Sequence, residues 1–336
     1  MTSSSTERPI PVTELSYTNV QTFDVFHFTG GIVGLVQNRT WNIQPNVFRT
    51  AAEVFTITDF FKPEIIAHQL GQLFIGTNQI YTTPSGYTDA SWTPNESRTN
   101  CDFSQSNIWD HIANAARQAN DHEYASLASN ISVSLLAAGL QLRNVTLQYN
   151  TQLNRAIVEE KTPGLRFTNL AMAELHLSFH SLVAELASTR DYISAAAGNK
   201  VGAPDNIDAI NRLESWANKP SNIAALSDPV ISLLLSNYDK QNTDAWLYHL
   251  TEYRNRFLHR KPMSRHDSSN MFLFRLIPTQ RGELSEITLP FIPISSTEPI
   301  DALQLFAGFY NKICEISDFV SNNAKYAPQI QHVISS

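Results

Sequence analysis

The stretch LHLSFHSLVAELASTRDYI, Leu175–Ile193, decides how this chain folds, because its apolar residues recur at steps of three and four. On an α-helix this spacing produces one apolar side, made of Leu175, Phe179, Leu182, Leu186 and Ile193. We predict a long helix over about 167–197, ended by Gly198, a residue type favoured after a helix C-terminus. Such a helix is typical of the core of a helical bundle.

Helical spacing extends to both sides of this stretch. Residues 124–160 form a second long segment without proline, and Pro163-Gly164 breaks it. Shorter helices are predicted over 205–216, 229–237, 243–260 and 301–322. Two apolar runs, 271–277 and 287–292, flank a polar turn and predict a β-hairpin. The predicted fold class is therefore mainly α, a helical bundle with an appended β-hairpin at about 271–292.

The first hundred residues differ in character from the rest, being poor in charge and rich in Thr, Asn, Phe and Ile. We predict strands at 22–28 and 30–36 and short helices near 47–61 and 63–74. Residues 82–99 contain Pro84, Gly86 and Pro94 and are predicted to be a loop at a domain boundary. The predicted domains are a smaller mixed α/β region, 1–100, and a helical domain, 101–336.

The charge of the chain is uneven. The formal net charge is −7, which argues against a surface that binds nucleic acid over its whole extent. The segment from Glu252 to Arg265, however, contains five basic residues and one acidic residue. It therefore carries a formal charge of +4, and the remainder of the chain carries −11. A local basic patch can still hold RNA, since phosphate attraction depends on the cations near the backbone. The alternative is a solvated helix end whose cations complement the helix dipole.

Targeting and redox features are few. No apolar run approaches the 18 or so residues of a membrane span, and the N-terminus lacks the pattern of a secretory signal. We therefore expect a cytoplasmic protein without a membrane partner. Cys101 and Cys314 belong to no Cys-x-x-Cys pair and are interpreted as ordinary buried thiols.

The segment Tyr253–Pro262, YRNRFLHRKP, places arginine, asparagine and histidine late in a predicted helix. Arginine and histidine are the groups that a metal-free ribonuclease needs, one to hold phosphate charge and one to move protons. Asn255 and His259 share a helix face, but Arg254 and His259 lie 140° apart on a regular α-helix. The helix must loosen before Pro262, or Arg254 must reach around it, or substrate must lie across both.

The same arginine-to-histidine spacing also occurs at Arg117–His122. That second match crosses a predicted helix break and has no basic neighbours. Arg254–His259 is therefore the preferred candidate.

Residues 166–265 resemble the HEPN family, and the resemblance is carried by Glu185, Arg190-Asp191 and the motif Arg254-Asn255-x-x-x-His259. It implies a metal-independent endoribonuclease that needs no cofactor and forms its cleft across a two-fold dimer. The chemistry supports a dimer as well, because a second group should protonate the leaving 5′-oxygen. The expected products carry 2′,3′-cyclic phosphate ends. The expected cellular role is that of a toxin or antiviral defence effector. RNA is the expected substrate, with a protein partner or antitoxin as a further candidate.

The candidate site residues follow from this resemblance. His259 is assigned as acid and base, Arg254 as the phosphate and transition-state clamp, and Asn255 as the group that orients His259 or substrate. Asp191 or Glu185 would position Arg254 through a charge-assisted hydrogen bond, or else form an ion pair with no catalytic part. Candidate contacts to the RNA backbone, each of which could instead simply face solvent, are Arg256, Arg260, Lys261, Arg265 and His266.

One alternative function is retained, and one alternative site, for a metal ion, is set aside. A non-catalytic HEPN-like module for dimerisation or binding would keep the bundle and lose the chemistry. His176 and His180 are four apart on a helix, but no third metal ligand is marked, so two core histidines are the preferred interpretation.

Overall fold

The computed structural model describes residues 21–37, 40–44, 55–57, 62–82, 88–96, 103–260, 262–263, 270–279 and 282–328. Its N-terminal part is a six-stranded antiparallel sheet in the order β4-β3-β2-β1-β5-β6 with one helix, α1. The elements are β1 (Gln21–Phe28), β2 (Val33–Gln37), β3 (Thr40–Gln44), β4 (Phe55–Ile57), α1 (Pro63–Leu70), β5 (Phe74–Thr82) and β6 (Thr88–Pro94).

The predictions for this region are partly confirmed. The strand at 22–28, a strand in the next apolar run and the helix that begins at Pro63 are present. That helix stops early because Gly71 adopts the left-handed conformation, with φ of 66°, and caps it. The helix predicted near 47–61 is wrong at Phe55–Ile57, which is a strand, and its residues 47–54 lie outside the described residues.

The loop predicted over 82–99 is also corrected. Thr88–Pro94 forms strand β6 and pairs along its whole length with β5, from Thr82 opposite Thr88 to Gly76 opposite Pro94. Its residues alternate, with Ala90, Trp92 and Pro94 half-buried and Asp89, Ser91 and Thr93 exposed. The loop prediction followed from Pro84, Gly86 and Pro94, residue types that favour turns, although this alternation was present in the sequence.

The rest of the chain is dominated by helices. These are α2 (Gln105–Gln118), α3 (His122–Val158), α4 (Met172–Lys200), α5 (Ile210–Ala217), α6 (Pro229–Ser236), α7 (Trp246–Asn255) and α8 (Ala302–Asn322). Helix α3 packs lengthwise against both α2 and α4, and α4 also packs against α7 and α8. The prediction of a mainly α chain is confirmed.

Several helix boundaries differ from the predicted ones. Helix α4 begins at Met172 rather than near Phe167, because Phe167 pairs with Phe272 in a small sheet. It also continues past Gly198 to Lys200. The break predicted between Arg117 and His122 is confirmed, since α2 ends at Gln118 and the Asp121 side chain caps α3.

A three-stranded antiparallel sheet lies beside the helices in the order β7-β8-β9. Its strands are β7 (Arg166–Phe167), β8 (Phe272–Thr279) and β9 (Gly282–Thr288), and a short pair follows, β10 (Pro290–Phe291) and β11 (Ile300–Asp301). The predicted β-hairpin is confirmed, although its second strand begins and ends earlier in the chain than 287–292.

Polar contacts join the N-terminal sheet to α3. His27 of β1 is 2% exposed, and the amide nitrogens of Asn78 and Asn150 lie 3.0 and 2.8 Å from its two ring nitrogens. Burial, helped by the charge of Arg143, lowers the pKa of His27 to about 4. The imidazole is therefore neutral near pH 7. A neutral ring has one acceptor nitrogen, so it can accept a hydrogen bond from one of these two amides, and a charged ring could accept from neither.

Helix α3 is the one helix, among the described residues, long and apolar enough to cross a membrane by length and composition. The sequence pattern had suggested no such run. Part of its apolar character is explained by packing, because residues such as Ile131, Leu135 and Leu142 are at most 1% exposed between the neighbouring helices. A central bundle helix must be apolar on more than one side.

Candidate functional site

The arginine–asparagine–histidine motif lies where the helix changes its winding. Helix α7 ends at Asn255, and Arg256–Arg260 continue as a π-helical turn. One turn of a π-helix takes more residues than the 3.6 of an α-helix, so residues five apart come closer to the same side. Four of the five steps from Arg254 to His259 fall beyond the regular helix. The helix loosens before Pro262, which was one of the three ways to bring these side chains together.

Both reactive side chains of the motif are accessible. Arg254 is half-buried and His259 is exposed. Neither of them, nor Asn255, has a hydrogen-bond or ion-pair partner among the described residues. An arginine and a histidine held on the surface without internal partners are available to a ligand.

The turn itself is anchored in the core. Phe257 is 3% exposed, and its ring lies between 5.8 and 6.4 Å from the rings of Tyr253, Phe291 and Phe306. The Tyr253 hydroxyl accepts a hydrogen bond of 2.8 Å from the Ile294 backbone N–H. These contacts fix the inward side of the turn, and the residues that follow Phe257 are directed to the surface as a result.

Histidine 180 of α4 holds the other end of the turn. Its Nε2 accepts a hydrogen bond of 3.0 Å from the backbone N–H of Met263, just after Pro262. Its ring also lies 5.1 Å from the ring of Phe257. Burial lowers the pKa of His180, which favours the neutral ring that can accept this bond. The sequence marked His180 as a core histidine but not as the anchor of the motif.

Asp191 does not contact Arg254 in this structure. Its Oδ1 accepts from the guanidinium of Arg190, at 2.8 Å from Nη2, and from the backbone N–H of Ile210 at 3.3 Å. Arg190 in turn donates to the Leu247 carbonyl and the Thr251 hydroxyl of α7. The predicted positioning role is corrected, since Asp191 neutralises the buried Arg190 that ties α4 to α7.

Glu185 is also turned away from the motif. His180 of α4 contacts Phe257 in the motif segment, Arg190 of α4 bonds to Leu247 and Thr251 earlier in α7, and Glu185 is five residues from each. Five residues turn an α-helix through 140° net, so Glu185 lies on the far side of α4. Partial burial raises the pKa of its carboxyl. A direct bond from Glu185 to Arg254 is therefore not supported by this geometry.

The basic neighbours of the motif occupy different environments. Arg260 is exposed and pairs weakly with Glu252, 3.3 Å apart, whereas the guanidinium of Arg256 lies 5.5 Å from the centre of the Phe291 ring. Lys261, Arg265 and His266 lie outside the described residues. Of these two neighbours, Arg260 is better placed than Arg256 to meet a phosphate, because an exposed ion pair of this kind is weak.

His176, four residues before His180, is buried, and neither of its ring nitrogens has a side-chain partner within the described part of the chain. Burial lowers its pKa to about 4. Within the part of the chain that the structure describes, no three His, Cys, Asp or Glu side chains are grouped closely enough to hold a metal ion. The described residues therefore contain no donor set for a metal at the motif.

A second group of polar residues, which the sequence interpretation missed, lines a cavity of about 730 Å³ between the N-terminal sheet and the β-hairpin. It contains two largely buried carboxyls, Glu286 and Asp301, which are 2% and 8% exposed. Its residues come from segments between Thr29 and Gln304. Local spacing does not point to it, because Leu273, Ile277 and Leu284 lie on the same face of the small sheet as Arg275 and Glu286.

Comparison with known protein families, with curated proteins and with solved structures found no match for this chain.

Proposed function

We propose that this protein is a metal-independent endoribonuclease of HEPN type, with Arg254, Asn255 and His259 as its active residues. The observation that carries the proposal is the π-helical turn at Arg256–Arg260, which reduces the angular separation of Arg254 and His259. Turns of this kind are rare and occur frequently at functional sites. Here a buried phenylalanine and a histidine bond maintain it.

The chemistry is transesterification within the RNA strand. His259 would take the proton from a ribose 2′-hydroxyl, and the 2′-oxygen would attack the adjacent phosphorus as the bond to the 5′-oxygen breaks. Arg254 would hold the non-bridging phosphate oxygens, where negative charge increases in the transition state. Asn255 would orient the imidazole or the substrate. The products would carry a 2′,3′-cyclic phosphate and a free 5′-hydroxyl.

The leaving 5′-oxygen needs a proton, and a second copy of the chain would supply it from the partner's His259. Three apolar side chains near the motif support an interface there. Leu258 adjoins His259, and Ile292 and Ile294 follow Phe291, whose ring contacts Phe257. All three are exposed. Burying them across a two-fold axis would bring the two motifs toward one cleft.

The cellular role proposed with this activity is that of a toxin or antiviral defence effector in the cytoplasm, restrained by a protein partner or antitoxin. An active ribonuclease needs such restraint because cellular RNA is its substrate. This part of the proposal rests on the family resemblance rather than on a contact in the structure.

The test is cleavage of end-labelled total RNA in EDTA by the wild type, His259→Ala and Arg254→Ala, with chemical mapping of the product ends. We expect each substitution to slow cleavage about 100-fold or more. His122→Ala is the matched control, because His122 is exposed and follows Arg117 at the same spacing. Cleavage equal in wild type and His259→Ala would refute the assignment. Intact RNA in all samples, with a dimer in light scattering, would favour the non-catalytic module.

A further inference from the structure

The face of the N-terminal sheet that packs against α3 extends beyond that helix. Phe23 of β1 pairs with Ile80 of β5, and Ile80 pairs with Ala90 of β6, so these three side chains form one row on one face. Trp92, two residues after Ala90, projects from the same face, and its indole N–H donates a hydrogen bond of 2.9 Å to the Gly139 carbonyl of α3. Phe23 is 51% exposed. The row therefore lies just outside the part of the sheet that α3 covers.

Helix α3 forms a wall beside this row. Tyr149 lies about 80° around the helix from Gly139, and its carbonyl is next to Gly31, beyond the far end of β1. Leu136 and Leu140 lie about 60° and 100° from Gly139 in the opposite sense, so they are on the side of the exposed row. They are 57% and 43% exposed. The sheet and α3 thus form a groove with an apolar floor and an apolar wall.

An arginine without a partner lies where the floor and the wall meet. Arg143 is one helical turn after Gly139 and about 40° around the helix, so it projects toward the sheet. After burial, which has the larger effect, the charge of Arg143 lowers the pKa of His27 on that face of β1. Arg143 has no hydrogen-bond or ion-pair partner among the described residues, and its Nε is shielded from solvent. The Oδ1 of Asn78, a residue 6% exposed on the same face, also lacks a partner. A half-buried guanidinium is stabilised by a carboxylate, so the groove suits an apolar ligand that carries one acid.

The segment that precedes β1 has this composition. Residues 10–20, IPVTELSYTNV, lie outside the described residues. Their apolar and aromatic side chains are those of Ile10, Pro11, Val12, Leu15, Tyr17 and Val20. Glu14 is the only charged residue among them. The segment joins β1 at Gln21, which pairs with Thr82 one row beyond Phe23, and so it enters the sheet at the open end of the groove.

The chain between Gln21 and Glu14 is long enough to reach Arg143. Arg143 lies near the rows of Val25 and His27, which are four and six residues after Gln21 along β1. At about 3.3 Å per residue these rows are about 13 and 20 Å from Gln21. The seven residues back to Glu14 span at most about 25 Å, and the long arginine side chain covers part of the distance. A segment that turns back over the sheet can therefore bring its one acid to Arg143.

We propose that residues 10–20 dock in this groove, with their apolar side chains against its floor and wall and the Glu14 carboxylate paired with Arg143. A cavity of about 460 Å³ beside Trp92, Leu136 and Leu140 offers room for apolar side chains of the segment. Docking would cover the exposed row of the sheet and give the guanidinium its acceptor. The segment would then join the N-terminal sheet to α3, and this role does not depend on whether the chain cleaves RNA.

The experiment is hydrogen–deuterium exchange of the full chain, measured by mass spectrometry on peptides that cover residues 10–20. In the wild type we expect these amides to exchange at least about tenfold more slowly than the same sequence does as a free synthetic peptide. Glu14→Arg places two cations together and should remove this protection. The double variant Glu14→Arg/Arg143→Glu reverses both charges and should restore it. Glu7→Arg is the matched control, because Glu7 precedes the apolar segment, and it should leave the exchange unchanged.

A further variant tests the proposal even if Arg143→Glu does not fold. Phe23→Ser changes an exposed residue of the floor, so it should fold normally, speed the exchange of residues 10–20 and leave that of α3 unchanged. The proposal is overturned if residues 10–20 of the wild type exchange as fast as the free peptide, or if Glu14→Arg and Glu7→Arg exchange alike. It is also overturned if the protection rises with protein concentration together with a dimer in light scattering, because a second copy would then occupy the groove.

Discussion

Replacing Phe257 by alanine should destabilise the protein by about 3–5 kcal/mol, the usual cost of removing a phenyl ring from a packed core. The ring is 3% exposed and contacts the rings of Tyr253, Phe291, Phe306 and His180. Its transfer to water accounts for about 1.5–3 kcal/mol, and the cavity left among these rings accounts for the remainder. Leu177 of α4 is 62% exposed, so the control Leu177→Ala should change stability by no more than about 0.5 kcal/mol.

The assay is equilibrium urea unfolding followed by circular dichroism, with both variants measured beside the wild type. RNA cleavage is then compared at a temperature where Phe257→Ala is still folded. We expect Phe257→Ala to cleave RNA poorly although Arg254 and His259 are intact, because the Phe257 ring no longer anchors the π-helical turn in the core. Equal unfolding free energies for the two variants would refute the claim that Phe257 anchors the turn.

Three further predictions concern ionisable groups in the protein interior. Asp191→Asn leaves the buried Arg190 unpaired and should cost about 3 kcal/mol in urea unfolding, with unchanged cleavage by the folded fraction. Because burial lowers the His27 pKa to about 4, the unfolded chain binds a proton first as pH falls from 6.5. Stability should then drop by about 3 kcal/mol toward pH 4, and His27→Gln should flatten this part of the profile. Burial and the nearby Glu286 charge raise the Asp301 pKa to about 7. Its contribution is therefore present below pH 3.8 and lost as pH rises to 7, and Asp301→Asn should remove that loss in thermal unfolding between pH 4 and 8.

Helices and their order were predictable because their signal is local. The three- and four-residue spacing in 124–160 and 175–193 predicts long core helices, and proline and glycine mark most of their ends. The predicted first residues of helices were less accurate where strand pairing with a distant segment competes with helix formation. Phe167 belongs to a strand only because Phe272, more than a hundred residues later, lies beside it.

The N-terminal sheet was the least predictable part for the same reason. Strand β6 alternates half-buried and exposed residues, but its proline and the turn-forming residues before it favoured a loop, and its pairing with β5 is not visible in the local sequence. The cavity is still less visible in the sequence. Gln72, Glu286 and Asp301 come together only after the N-terminal sheet, the hairpin and α8 have packed. Pairing over such separations cannot be inferred from spacing along the chain.

The motif at Arg254–His259 lies between these two cases. Its residues are local and could be chosen from the sequence, but on a regular helix their 140° separation contradicted a shared role. The structure places a π-helical turn at that point, held by Phe257 inside and by the bond from Met263 to His180 beyond Pro262. A local departure from regular helix geometry, maintained by core contacts, is the kind of feature expected where function imposes its own requirement. The five-residue spacing of Arg254 and His259 is incompatible with a shared role on a regular α-helix. That incompatibility was itself informative, because it indicated where the helix would have to depart from α-helical winding.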